Sequence, residues 1–260
     1  MPSTSATALI TGASSGIGRE FAAAFAARGA DLVLAARRED QLDTLAGELR
    51  HRHGVAVTVV PVDLSQPNAA GALHQRLVRR GITVSILVNC AGLATTGLFA
   101  DTAPDAVHNQ LAVNVTALTE VTRAFLPGLR TAAEGVIVNI ASVTGYHPTP
   151  GMAVYSATKA YVLTFTEALA YELRDTAVRV LALSPGPTRT EFYATSGSSE
   201  NGVRFQTPDE VVAVGLRALD ARRTPTRVVS GARNRMNVAL LRRLPRRTAT
   251  ALMAGSTTSA

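Results

Sequence analysis

Seven short apolar runs alternate with stretches of helical pattern along this chain, and few folds accept that alternation. The runs are Thr7–Ile10, Asp31–Ala36, Val55–Val62, Thr83–Asn89, Val136–Ala141, Val178–Ser184 and Arg227–Ser230. Most are nearly unbroken Val, Leu, Ile and Ala, the composition of strands buried on both faces. Helical patterns lie between them at 18–28, 39–53, 68–80, 105–126, 154–174 and 209–221. Asp105 and Asp209, each following a proline, suit the first turn of a helix. The spacing predicts βαβ units: an α/β fold with a doubly wound, mostly parallel seven-stranded sheet and helices on both faces. These elements fill residues 1–231 as one domain, leaving 232–260 as a basic C-terminal helix and a tail expected to be disordered from Gly255.

Composition narrows the class further. Apolar residues are 47% of the 260 and charged residues 17%, enough to bury a large core. No uncharged apolar run reaches the ~18 residues of a membrane-spanning helix, and no basic segment precedes an apolar one at the N-terminus. Cys90 is the only cysteine, which excludes an internal disulfide framework and a cysteine-based zinc site. The expected compartment is cytoplasmic, and no metal is expected.

The glycine-rich turn carries the first chemical signal. The first apolar run passes into Thr11-Gly12-Ala13-Ser14-Ser15-Gly16-Ile17-Gly18, and a helical pattern follows. Glycines there permit a tight turn and close approach of backbone N–H groups to a pyrophosphate, at the positive end of a helix. The spacing is G-x-x-x-G-x-G and not G-x-G-x-x-G, but strand, glycines and helix together favour a Rossmann-type dinucleotide site over an ordinary glycine-rich turn, with Ser14 and Ser15 adding hydroxyl donors and Ile17 lying inside the turn. The second run ends Ala35-Ala36-Arg37-Arg38. No acid stands there for a ribose 2′-hydroxyl, whereas Arg37 and Arg38 can neutralise a 2′-phosphate, which favours NADP (as NADPH) over NAD. Asp63, after the third run, can accept from an adenine amino group or cap the next turn.

Tyr155-Ser156-Ala157-Thr158-Lys159 opens a long helical pattern, with Tyr155 and Lys159 on one face. A phenol with a pKa near 10 is a poor proton shuttle at neutral pH, and a nearby ammonium is expected to lower it toward useful general acid–base range. Lys159 is the only lysine in a chain with 26 basic residues. An arginine could not replace it as a compact ammonium donor. Ser142 ends the fifth run, where ligands bind in open α/β sheets. Asn114 lies in an apolar mid-helix context, where it either satisfies neighbouring backbone or organises a water.

These motifs, with Asn89-Cys90-Ala91-Gly92 and Pro185-Gly186-Pro187-Thr188-Arg189-Thr190, resemble the short-chain dehydrogenase/reductase family in its single-domain branch, over about residues 6–231. The resemblance implies an NADP(H)-dependent oxidoreductase that reduces a ketone or aldehyde, or oxidises the alcohol, by hydride transfer. It makes Tyr155 the general acid/base, Lys159 the ligand of the nicotinamide ribose, Ser142 a donor to the substrate oxygen and Asn114 the holder of a relay water. Gly12, Gly16 and Gly18 would receive the pyrophosphate. Asn89, Ala91 and Gly92 would pack beside the adenine-ribose end. Pro185, Gly186, Thr188 and Thr190 would frame the nicotinamide. A homodimer or homotetramer through the helices at 105–126 and 154–174 is implied as well. Cys90 and Ser85 depart from the usual Asn and Asp.

Leu93, Val143 and Phe192, with Ala94, Met152 and Tyr193, are expected to form an apolar substrate wall, which favours a small lipophilic carbonyl or alcohol. Residues 188–204 are rich in Ser, Gly and Thr and suit a mobile lid. His147 could help orient a substrate, although an exposed loop position is the favoured reading. Between Arg217 and Arg247 there are ten arginines against one acid, Asp220. Met236, Ala239, Leu240 and Leu244 would form the apolar face of a basic helix ended by Pro245. That helix can pack on its own domain or a second subunit, or make peripheral contact with a membrane. Nucleic acid is not expected, because no aromatic residue follows Phe205 to stack on bases. Two alternative readings stay open: a non-catalytic NADP(H)-binding sensor, and a membrane-surface adaptor using the basic tail.

Overall fold

The computed structural model describes residues 6–197 and 203–257. Seven parallel strands form one sheet: β1 (Thr7–Thr11), β2 (Asp31–Ala36), β3 (Val57–Pro61), β4 (Ile86–Asn89), β5 (Gly135–Ile140), β6 (Val178–Ser184) and β7 (Arg227–Val229), in the order β3-β2-β1-β4-β5-β6-β7. Chain order reverses between β1 and β4, where Thr11 lies opposite Asn89. Crossovers then leave in opposite directions and open a crevice at the strands' C-terminal ends, the place where ligands bind in such sheets.

Helices cover both faces. On one lie α1 (Gly16–Ala27), α2 (Glu39–His53) and, later in the chain, Pro208–Leu219; Phe21, Phe25, Leu45 and Val211 are buried against β1, β2 and β6. On the other lie α3 (Ala69–Arg79) and a long helix over 104–131, with Leu73, Leu77, Val121, Phe125 and Leu129 buried. β1, β4 and β5 need apolar residues on both faces because each face meets a helix layer, which is why their sequences do not alternate.

The long helix departs from its expected 105–126 in two ways. It consists of α4 (Pro104–Leu111), a wider π-helical stretch over Ala112–Ala117, and α5 (Leu118–Thr131). The π stretch carries Asn114, and such local widening is often found at functional positions. The helix also runs through Pro127, whose missing N–H forfeits a single bond near the end. The Thr131 hydroxyl donates to the Gly128 carbonyl at 3.0 Å and helps finish the last turn.

The chain continues with α6 (Ala153–Glu172), α7 (Glu191–Ser196) and α8 (Pro208–Leu219), then two tail helices, α9 (Ala232–Leu241) and α10 (Arg246–Thr257). Pro245 therefore separates two helices instead of ending one. Gly255–Thr257, expected to be disordered, continue α10, and 258–260 lie outside the described residues. The inward face of α9 is also not the expected one. Val238 is buried and Asn234 faces inward, whereas Met236 and Leu240 point outward, 65% and 59% exposed. Asn234 donates to the Gln206 side chain at 3.0 Å and the Ser230 carbonyl at 2.9 Å. Those bonds fix the helix's rotation and turn the Met236 face away. Among the described residues no helix is long and apolar enough to cross a membrane.

Candidate active site

One cavity of about 390 Å³ runs along the C-terminal ends of the strands, a volume in the range of small-molecule sites. It starts at the glycine turn, passes the ends of β2 and β3, and continues over β4 and β5 to α6 and α7.

At the first end the backbone itself is the binding surface. Gly12 and Gly16 have φ of +68° and +52°, conformations that a Cβ disfavours. A Cβ on Gly12 would stand 2.8 Å from the Ala91 amide nitrogen, and one on Gly16 would stand 2.7 Å from Thr190. Gly18 works differently: it does not line the cavity, and a Cβ there would run into the Gly12 carbonyl, so it serves close packing of helix on strand. Ser14, Ser15 and Ile17 line the cavity beside the turn.

Arg37, Arg38 and Asp63 line the next section. Arg37 makes no hydrogen bond or ion pair among the described residues; its charge acts on Asp63. Arg38 donates to the Ser14 hydroxyl at 3.1 Å and pairs with Glu191 at 2.7 Å. Asp63 serves its turn, accepting from the Ser65 amide at 3.0 Å and hydroxyl at 2.8 Å. Burial alone would raise the Asp63 pKa. The bonds from Ser65 and Gln66 and the charge of Arg37 outweigh it and hold the carboxyl below its usual value.

Asn89, expected beside the adenine, is absent from the cavity wall. It is 3% exposed, and its amide donates to Thr122 and to Asn139, both at 2.9 Å. Asn139 in turn donates to Thr166 at 2.9 Å. This buried chain of amides and hydroxyls ties β4 and β5 to α5 and α6, so Asn89 braces the site from behind. Ala91 and Gly92 do line the cavity, with Cys90 between them.

At the far end Ser142, Tyr155 and Lys159 converge. Ser142 follows β5; its Oγ accepts from the Thr144 amide at 3.2 Å and bonds the Tyr155 phenol. Lys159, one helical turn from Tyr155, donates to the Ile140 carbonyl at 2.8 Å, with its ammonium 5.7 Å from the Tyr155 ring centre. Asn114 stands behind them and off the wall. It accepts from the Leu93 amide and donates to the Leu93 carbonyl, both at 2.8 Å, and donates to Thr158 at 3.0 Å. A Cβ on Gly92 would lie 3.5 Å from Asn114 Oδ1 and 3.6 Å from Lys159 Nζ, so the three are neighbours. Of the two sequence readings of Asn114, its own protein bonds are those with backbone and Thr158.

Electrostatics here differ from the expectation that Lys159 would lower the pKa of Tyr155. Burial pushes the phenol up despite its bond to Ser142, and pushes Lys159 down to about 8 and the Cys90 thiol up to about 12. Desolvation outweighs a charge 5.7 Å from the ring. Burial thus holds the phenol in its protonated form and disfavours the charge on the lysine.

Apolar groups surround this end. Leu93, Val143, Met152, Phe192 and Tyr193 are on the wall, whereas Ala94 is not. The Phe192 ring lies 5.6 Å from that of Tyr155, carried there by α7. The expected lid over 188–204 takes helical form at α7, and 198–202 lie outside the described residues. His147 is off the wall and buried, not exposed; its Nε2 has no hydrogen-bond partner, and burial beside Arg242 lowers its pKa. Sequence reasoning also missed Glu191 and Thr144. Glu191 sits next to Thr190, and only the fold brings it to Arg38.

A crevice at the sheet reversal, a glycine cradle and a Tyr-Lys-Ser set on one cavity define a dinucleotide-dependent oxidoreductase class. The family model for short chain dehydrogenase matches residues 6–201, and the chain belongs to that family. It is 42% identical over 185 residues to sulfoacetaldehyde reductase of Chromohalobacter salexigens, covering 70% of this chain and 72% of that one. Among the first curated relatives it matches, the chain spans from 52% to 73% of their length. A short-chain dehydrogenase from Sphingobium yanoikuyae, solved with NADPH, is 40% identical with a TM-score of 0.79 over 86% of each chain. One from Burkholderia phymatum, solved with NAD, is 27% identical with a TM-score of 0.81 over 91% of this chain and 92% of that one.

Proposed function

We propose that this chain is an NADP(H)-dependent reductase of uncharged, lipophilic ketones or aldehydes, running in reverse as an alcohol dehydrogenase. The observation that carries the reading is one continuous cavity with the glycine cradle and Arg37 at one end and Tyr155, Ser142 and Lys159 at the other. The dinucleotide fits the residues present: a Cβ would fill the cradle at Gly12, and Arg37 offers an uncommitted guanidinium where a 2′-phosphate needs one.

When bound, the nicotinamide supplies the hydride. The chain's own residues do the rest. Gly12, Ser14, Ser15, Gly16 and Ile17 hold the pyrophosphate end, Arg37 and Arg38 the 2′-phosphate, and Ala91, Gly92, Pro185, Gly186, Thr188 and Thr190 the remainder. Ser142 Oγ and Tyr155 Oη present two donors to the carbonyl oxygen, an arrangement that favours the charge developing there. Tyr155 Oη gives up the proton that makes the alcohol. Its raised pKa suits an acid that must stay protonated until negative charge arrives. Lys159 would hold a ribose hydroxyl and receive protons through a water held by Asn114, whose Oδ1 accepts one protein bond, from the Leu93 amide, and keeps a second lone pair.

Substrate class follows from what the reacting end lacks. Among the described residues of the wall, the cations are Arg37, Arg38 and Lys159, and only Lys159 is near Tyr155. A sulfonate or carboxylate beside Leu93, Val143 and Phe192 would be desolvated without a partner. The reading therefore departs from the charged substrate in the name of the Chromohalobacter relative. Leu111 and Tyr161, part-exposed on α4 and α6, support a homodimer or homotetramer, which sedimentation velocity reads directly. For the tail, the inward seat of Asn234 and Val238 supports packing on its own domain over membrane contact.

Lys159 makes the reading testable by pH. Its charge is present below about 8 and lost above it in the free protein. A bound ligand offering oxygen acceptors favours the charged form, so binding must raise the pKa and draw in a proton. Calorimetric titration of NADPH slightly above pH 8, in buffers of different ionisation enthalpy, is expected to show proton uptake and affinity falling as pH rises. Lys159→Met should abolish the uptake. Buffer-independent heats in the unaltered protein would show that Lys159 is not at the cofactor.

A further inference from the structure

We propose that Glu191 is a cofactor-selectivity residue: its carboxylate is the counter-ion that a 2′-phosphate must displace from Arg38. This rests on the NADP(H) reading above, and the experiment below separates the two.

Arg38 uses both arms of its guanidinium within the protein. One donates to Ser14 on the glycine turn at 3.1 Å, and the other pairs with Glu191 at 2.7 Å. Glu191 is the first residue of α7, and all three line the same cavity. The ion pair thus joins the β2–α2 turn to α7 across the stretch where the adenosine end would lie. It is about half exposed on both sides, 43% and 54%, so it is exchangeable and not a buried fixture. Arg189, the nearest alternative cation in sequence, faces the Phe205 ring at 4.8 Å.

A phosphate monoester carries roughly −1.5 to −2 charges at neutral pH and three acceptor oxygens, against one charge and two oxygens for a carboxylate. At the two arginines it can out-compete Glu191, and once seated it repels the carboxylate. A cofactor with a free 2′-hydroxyl has nothing with which to displace Glu191, so the pair stays closed. Glu191 therefore weakens binding of the phosphorylated cofactor and leaves the other untouched. The two arginines set the direction of the preference, and Glu191 limits its size.

The test is calorimetric titration, at low salt, of NADPH, NADH and adenosine 2′,5′-bisphosphate, the last carrying the phosphate end without the reactive one. Glu191→Gln is expected to tighten NADPH and the bisphosphate by about three- to tenfold, the scale of an exposed ion pair plus a like-charge contact, with NADH unchanged. In an Arg38→Gln background the gain should shrink to what the like-charge contact alone contributes. If Glu191→Gln leaves NADPH affinity unchanged or weaker, the proposal is overturned. So it is if the gain persists undiminished without Arg38, because Glu191 would then act on the phosphate alone. A natural chain that binds NADPH no better than NADH overturns the cofactor reading as well. A clear NADPH preference with no response to Glu191→Gln removes only the role of Glu191.

Discussion

Tyr155→Phe is expected to cut carbonyl reduction by about 10²–10⁴-fold, the usual contribution of a positioned proton donor, while NADPH still binds. The substitution removes one oxygen and leaves the ring where it lies, 5.6 Å from Phe192 and buried in the wall. Packing and stability should therefore hardly change. The loss should fall on kcat, because the phenol acts in the transition state more than in substrate binding. Ser142→Ala, which leaves the proton donor in place and removes the second hydrogen bond, should fall short of that loss. Steady-state kinetics with calorimetric NADPH binding on the same samples checks both. Retained turnover in Tyr155→Phe would remove the phenol from the chemistry, and lost cofactor binding would make it a cofactor ligand first.

Arg37→Gln should weaken NADPH by about 10- to 100-fold and leave NADH alone, the scale of a hydrogen bond to a charged group. Arg37 is exposed and makes no hydrogen bond or ion pair among the described residues, and its charge acts only at long range on Asp63, so thermal unfolding should hardly move. Arg38→Gln should cost less, because Arg38 must first leave Glu191. The ordering of the two variants is the informative part. Equal losses would mean that the Arg38–Glu191 pair does not compete with the phosphate. Equal affinity of the natural chain for NADPH and NADH would mean that the arginines are only a solvated turn.

The fold was legible because its main signal is local. Unbroken apolar strands and glycine punctuation mark each βα unit, and the sheet order follows once both faces must be covered. Boundaries slipped where tertiary contacts decide: the π stretch at Asn114 answers to Leu93 and Thr158, distant in sequence. The same reason explains what sequence reading missed at the site. Nothing in the order of residues says that Glu191 meets Arg38, that Asn89 turns toward Thr122 and not the cavity, or that Met236 faces out because Asn234 faces in. The pKa of Tyr155 was misjudged because spacing gives the lysine's position and not the depth of burial, and burial is the larger effect here.

Transfer of label is the most direct test of the whole reading. NADPH deuterated at the transferable C4 position would be incubated with the full chain and a panel of uncharged lipophilic ketones, with sulfoacetaldehyde as the charged comparison. Deuterium at the carbinol carbon of an uncharged product, formed far more slowly with Tyr155→Phe, is the predicted result. NADPH that binds tightly yet delivers no label to any carbonyl would contradict it, and would leave a cofactor-binding protein whose Tyr155, Ser142 and Lys159 perform no reduction.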